Sequence, residues 1–395
     1  MGRGPLRPVP LGQAGAAKRH PGRPRHARSG GLVNARAASS LAGAVLAAAL
    51  AASGCASGPP RQLRLEADPA RAMRTWPHAP EVPRFRLEGT LLGEQNYVAP
   101  GEAAKPAWRG ALEWLAGLGD DRAPIDELLR PTAGTSEGCG RIVVSDPGRG
   151  AVFAFPSEGG PEVLENASGS RRFGAPAGIA CGADGAILVA DSTLRLVVEL
   201  DAKGTVRRTI GAGELGRPTG LALDREGGEI YVADTDTHQV AVFDLGGRLA
   251  RRIGRRGEGE GEFNFPTHLW FRAGELYVAD TMNGRVQVFA RGASMPRLIV
   301  GGRGLYVGQL VRPKGVATDS AGNIYVVESY YDHLLVYDRA GRFLLPIGGL
   351  GQEAGQFYLP SGVWTDERDR VYVADMFNGR VVVLQFLGGD VHGQP

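Results

Sequence analysis

Six times along the chain, a short run of apolar and β-branched residues ends on an acid. The runs are RIVVSD ending at Asp146, ILVAD at Asp191, IYVAD at Asp234, LYVAD at Asp280, IYVVE at Glu328 and VYVAD at Asp375, spaced 45, 43, 46, 48 and 47 residues apart. A fixed period in this range marks a chain of units, none of which can bury its own apolar faces alone. A proline precedes each acid by 14 to 16 residues: Pro131, Pro176, Pro218, Pro266, Pro313 and Pro360. Between these landmarks each unit runs proline, short apolar stretch, turn, acid-terminated run, turn, second apolar run and glycine-rich loop. β-Branched and aromatic runs bounded by Gly, Asn and Asp read as strands. The pattern predicts an all-β chain with four short antiparallel strands per unit and six units. Set radially, four-stranded sheets make a six-bladed β-propeller, which leaves only short, protected edges.

The unit resembles the NHL-repeat family of propellers. Asp332–Leu334 (DHL), Asn283–Val286 (NGRV) and Asn378–Val381 (NGRV) stand where that family carries its Asn-His-Leu. The resemblance runs from about Phe85 to Phe386 and is weakest in the first two units. The last unit stops at RVVVLQF without an outer strand, whereas Arg84–Pro100 resembles the end of the fifth unit. Phe85–Leu91 is therefore expected to supply the missing strand and close the ring. The propeller is assigned to residues 85–388, with an insertion at 101–130 and a disordered tail at 389–395.

Composition adds the ends. Residues 1–40 hold eight Lys/Arg and no acid, and a short apolar run, Leu41–Ala52, leads into the small residues before Cys55. This is the layout of an export signal over 1–54; a true start near Val33 would leave Arg36 as an ordinary leading charge. The ASGC ending resembles the lipobox of bacterial lipoproteins, which implies a lipid on Cys55, although Ala52 stands where that pattern prefers leucine. Residues 55–84 read as a proline-rich tether. Without the first 54 residues the chain keeps 37 basic against 42 acidic residues, a net of about −5, so charge gives no case for nucleic-acid binding. Cys139 and Cys181 remain, and a disulfide and two free thiols stay equally open.

Most candidate chemistry dissolves into the repeat. Gly211–Gly216 matches GxGxxG, but a proline and a strand follow it instead of the helix that the phosphate motif needs. Asp234–His238 (DTDTH) lacks the later ligands of a calcium loop. The six acids form a ring that invites a metal, yet each precedes a tight turn, where a carboxylate accepts backbone N–H groups. Arg149, Gln239, Arg285 and Arg380 are candidate partners for them, and His238 and His333 are read as turn histidines. No cofactor, metal site or catalytic residue is assigned.

The departures from the repeat are more informative. Two residues past each proline stand Ala133, Gly178, Gly220, His268, Gly315 and Gly362, so His268 alone is bulky where blades converge, near the channel mouth. One residue earlier, Lys314 is the only charge among Thr132, Ala177, Thr219, Thr267 and Ser361. Loop positions on one face carry Phe263, Phe265, Met282, Tyr306, Tyr330, Tyr331, Phe357, Tyr358, Met376 and Phe377. Aromatic and methionine side chains on loops suit partner recognition, although Phe263 and Phe357 recur in register, as packing residues would. The expected binding face is His268, Lys314, Tyr330, Tyr331, Met282, Met376 and Phe377.

These readings imply a non-catalytic scaffold at the cell envelope, binding an envelope protein or peptide and reaching the membrane through its lipid. Ala56 lacks the aspartate that retains such lipoproteins at the inner membrane, which points to the outer one. The family resemblance carries an alternative: propeller enzymes of the peptidyl-hydroxyglycine amidating lyase or lactonase type, with a metal in the central channel.

Overall fold

The computed structural model describes residues 60–65, 74–100 and 127–388. The predicted signal segment, the lipid-site Cys55, most of the 101–130 insertion and the 389–395 tail lie outside these residues. The described chain forms six antiparallel blades in sequence order. Blade 3 is representative, with strands Pro218–Asp224, Glu229–Asp234, Gln239–Asp244 and Leu249–Ile253 from the axis outward.

The ring closes as the sequence predicts. Phe85–Leu91 pairs with the last strand, Arg380–Phe386, from Val381 opposite Leu91 to Phe386 opposite Phe85. Joining first and last segments in one sheet removes the open edge that a linear array of blades would keep. Two short strands precede the closing one. Thr75–Trp76 adds a fifth strand to blade 6, and Gln62–Leu63 pairs with Tyr97–Val98. The expected tether over 55–84 is corrected here. Residues 60–65 and 74–84 belong to the propeller, because Trp76 is buried among the apolar side chains between blades 5 and 6.

The core is a set of apolar clusters, one at each junction between neighbouring blades. Phe263 and Phe357 are fully buried packing residues of these junctions, not members of the loop face. Pro218, Pro266 and Pro313 each open an innermost strand, where the missing N–H breaks no ladder. The small residue two places later lets the next blade come close. A Cβ on Gly178 would lie 2.6 Å from the Leu221 nitrogen, and one on Gly315 would lie 2.7 Å from the Ser361 carbonyl.

The acid at the end of each second strand is the local organiser. Asp191 accepts N–H groups from Gly174, Ala175, Thr193 and Leu194, at 2.7–3.1 Å. Asp146, Asp234 and Glu328 likewise take both N–H groups just before the proline. The acid thus ties the incoming loop to its own blade. Asp280 and Asp375 use a second version. Each takes one of those N–H groups, from Asn264 or Tyr358, and adds Asn283 with Arg285, or Asn378 with Arg380. The other N–H, on Phe265 or Leu359, goes to the preceding blade, to His238 Nδ1 or Asp332 Oδ1. Both residues are left-handed, with φ of 53° and 47°.

Two expectations change accordingly, and the open choice at the cysteines is decided. The Arg149 side chain donates to the Glu127 carbonyl and Gln239 to the Gly254 carbonyl, so neither side chain reaches its acid. In blade 5 it is Asp332, not His333, that plays the part of His238. Cys139 and Cys181 form a disulfide with Cα atoms 5.5 Å apart, joining blades 1 and 2.

Asp280 is fully buried and Arg285 nearly so. Removing one partner of such a pair leaves the other uncompensated, so Asp280→Ala should cost about 3 kcal/mol. The exposed Glu260→Ala should stay within about 0.5 kcal/mol. The midpoint and slope of urea unfolding measure both; equal, small losses would show that the clamp contributes little.

Candidate functional site

Strand direction divides the propeller into two ends. The prolines, the acids and the turns after them share one end, because each proline pairs with its acid, as Pro266 does with Asp280, and the acid with the next strand's first residue, as Asp280 does with Arg285. The tight hairpins lie at the other end. The loop end displays most of the large exposed apolar side chains: Phe265, Met282, Leu305, Tyr306, Val307, Tyr330, Tyr331, Leu350, Tyr358 and Phe377. Several are held in pairs. Tyr330 and Tyr331 meet edge to face at 4.9 Å, Tyr358 and Phe377 lie 5.4 Å apart, and Phe265 rests on His238 at 4.4 Å. The Arg130 guanidinium covers the Phe377 ring. Met376 is half-buried.

One loop differs from its sisters. The loops before Pro266, Pro313 and Pro360 share one frame, in which Arg256 bridges to Phe263, Arg303 to Leu310 and Leu350 to Phe357. Inside each, a backbone N–H is taken by the side chain three residues on: Gly259 by Glu262, Tyr306 by Gln309 and Glu353 by Gln356. The tips nevertheless read Glu258-Gly259-Glu260, Leu305-Tyr306-Val307 and Gln352-Glu353-Ala354. In the third, Arg74 reaches the Ala354 carbonyl and Ala354 is buried. In the second, Leu305, Tyr306 and Val307 stand 74%, 81% and 68% exposed. The shared frame shows that the loop geometry does not require apolar residues there.

The axis is occupied by side chains from blade 4. His268 lies in the wall between blades 4 and 5, deeper than the mouth position expected for it, and its Nδ1 accepts the Val316 N–H at 3.3 Å. Burial lowers its pKa to about 4, which makes it a neutral imidazole with its proton on Nε2. Beyond it, Trp270 donates to Thr318 and packs against clusters from three blade junctions, while Arg272 bonds the Thr318 carbonyl and the Thr365 hydroxyl. Trp270 and Arg272 narrow the channel, and sequence reasoning missed both. Their signal was the same as that of His268, since the equivalent positions in blade 3 are Ala222 and Asp224. Beside them lies a cavity of about 220 Å³ bounded by His268, Trp270, Arg225, Arg272 and Glu137.

The channel does not fit a metal centre. Among the described residues, no three His, Cys, Asp or Glu side chains are placed to hold an ion. The six turn acids spend their oxygens on their own loops, and His268 spends Nδ1 on Val316. Lys314 stands at the loop end of the channel, beside Thr267, whose hydroxyl donates to the Lys314 carbonyl at 3.4 Å. Burial, then the charges of Arg312 and Arg217, hold its ammonium below the usual lysine range.

Six radial antiparallel blades, five of four strands and one of five, define a β-propeller with a loop face at one end. Within it, residues 215–243 match the NHL repeat model, so this stretch of blade 3 is similar to that repeat. The curated protein brain tumor of Drosophila melanogaster is 24% identical over 132 residues, 33% of this chain and only 12% of that protein's length. A solved gluconolactonase of Xanthomonas campestris is 17% identical, with 83% of this chain and 97% of that one covered and a TM-score of 0.54. A protein of unknown function from Bacteroides thetaiotaomicron is 13% identical, covering 66% and 70%, with a TM-score of 0.51. At these identities the solved structures share the fold alone.

His268 gives a pH test. Its folded pKa lies below the ordinary 6.5, so the unfolded chain binds the proton first as pH falls. Stability should therefore be full above pH 6.5 and decline toward pH 4, by up to about 3 kcal/mol. His268→Gln should flatten that slope in urea titrations at several pH values. An imidazole that titrates near 6.5 by NMR would contradict the burial argument.

Proposed function

We propose that the protein is a non-catalytic scaffold of the cell envelope that binds a protein or peptide partner on its loop face. The observation that carries this reading is the Leu305-Tyr306-Val307 tip. Three adjacent apolar side chains are kept in water on a loop whose sisters hold the same shape with Glu258-Gly259-Glu260 or with Gln352, Glu353 and a buried Ala354. An apolar patch not required by the fold marks a surface that another molecule covers. Tyr330, Tyr331, Met282 and Phe377 extend the patch around the same face. Aromatic anchors of this kind supply large contact area at small entropic cost.

Export and anchoring complete the proposal. A disulfide between Cys139 and Cys181 suits an oxidising compartment, which supports the export signal. Pro60, five positions after the proposed lipid-bearing Cys55, leads into a segment paired with the blade 1 hairpin: Arg61 accepts from Gly159. An enzymatic role would need a reacting group in the channel. There, Trp270 and Arg272 are engaged in packing and hydrogen bonds across the axis, which favours the scaffold reading.

The test exchanges one tip for another. Leu305→Glu, Tyr306→Gly and Val307→Glu together rebuild the blade 4 tip on the blade 5 frame, so unfolding midpoints should shift by no more than about 0.5 kcal/mol. A photo-crosslinker placed at Met282 should trap a defined envelope protein with the natural tip and lose it with the exchanged one. Identical crosslinks from both would sink the choice of face.

A further inference from the structure

At the centre of the loop face, the first residues of the innermost strands form a closed ring. A Cβ on Gly178 would meet the Thr219 carbonyl at 2.7 Å, one on Gly220 the Thr267 carbonyl at 2.8 Å, and one on Gly315 the Ser361 carbonyl at 2.7 Å. Thr219, Thr267, Lys314 and Ser361 are therefore successive members of one rim around the channel, and Lys314 is its only charge. The residues just before the prolines form the next ring outward, and they include Arg217 in blade 3 and Arg312 in blade 5. The guanidiniums of both act on the Lys314 ammonium.

Among the described residues, none of the side chains of Lys314, Arg217 and Arg312 forms an ion pair or donates a hydrogen bond. The clamp acids of the same two blades, Asp234 and Glu328, are committed to backbone groups: Asp234 to Gly216 and Arg217, Glu328 to Val311, Arg312 and Tyr330; the exposed Asp236 lies in the turn beside Arg217 without an ion pair to it among the described residues. Pairing opposite Pro218 and Pro313 sets these two clamp acids in the second strand, outward of the rim. Three like charges converging on a partly desolvated mouth repel one another, and an oxyanion seated there relieves that repulsion. The fold does not require the lysine, since the same rim position is Thr, Ala or Ser in every other blade.

We propose that the channel mouth is an oxyanion pocket, with Lys314 at its floor and Arg217 and Arg312 at its sides, which seats a carboxylate of the protein segment bound on the loop face. This rests on the loop-face reading and sharpens it. The apolar tip and aromatic pairs supply contact area, and the pocket sets the register of an acidic group at the centre. A side-chain carboxylate and a C-terminal carboxylate present the same chemistry.

Three short peptides separate the sources: acetyl-tetraglutamate amide, acetyl-tetraglutamine with a free C-terminus, and acetyl-tetraglutamine amide, which has no carboxylate. Titrated calorimetrically into the full chain, the first or the second should bind, more weakly as salt is raised, and the third should not. Lys314→Met should weaken that binding by about tenfold at unchanged unfolding midpoint. On binding, the Lys314 ammonium followed by NMR should titrate at higher pH, a shift that a merely structural lysine would not show. Equal binding of all three peptides, no binding of either carboxylate peptide, or binding of an oligouridine in their place would overturn the pocket. The tip-exchanged protein distinguishes this failure from that of the loop face. If it loses its crosslink while the peptides fail to bind natural protein, the face stands and the pocket falls.

Discussion

The structure depends on a buried carboxylate at the end of each blade's second strand. A loop arriving from the previous blade's outer strand must turn onto the axis with its last N–H groups unpaired, because the proline that follows cannot continue a ladder. An unpaired buried N–H costs about 1–3 kcal/mol, and the acid removes that cost by accepting those groups across the strand pair. The blade is then tied at the point where it meets the axis. The loop face acquires six fixed anchor points, and the aromatic side chains carried between them are held in place. Display depends on this clamp as much as folding does.

Two versions of the clamp follow from local chemistry. Where Asn-Gly-Arg follows the acid, the asparagine amide and arginine guanidinium fill one carboxylate oxygen, and only one loop N–H reaches the acid. The second N–H is released to the neighbouring blade, and its residue, Phe265 or Leu359, swings into a left-handed conformation. Where no such side chains follow, both loop N–H groups stay with the acid. The same difference decides which loops are tied within a blade and which are stitched between blades.

The repeat made the fold legible, because spacing, proline and acid are set by the backbone's own hydrogen bonds and do not depend on the partner. The closing strand Phe85–Leu91 was legible because it resembles the end of the fifth unit. Trp76 and Leu63 were not, since single apolar residues in a proline-rich stretch carry no period. Of the four partners expected for the acids, Arg285 and Arg380 reach them from the first position of the next strand, whereas the side chains of Arg149 and Gln239 donate to the Glu127 and Gly254 carbonyls. Within the candidate site, His268 and Lys314 stood out against their equivalents. The contrast at Leu305 and Val307 appeared only once the bridges Arg256–Phe263 and Arg303–Leu310 aligned loops of different sequence. Trp270 was hidden because a tryptophan in an apolar strand reads as core, which in part it is.

A rigid clamp beneath an adaptable tip is the central claim, and amide hydrogen exchange across the loop face tests it most directly. The N–H groups of Gly174, Ala175, Gly216, Arg217, Val311 and Arg312 should exchange as slowly as those of Val232 and Val326 in the core strands, through global unfolding, while Leu305 and Val307 exchange quickly. Clamp amides that exchange at the rate of the tip would contradict the account, because the carboxylates would then be solvated bystanders and the face would not be held.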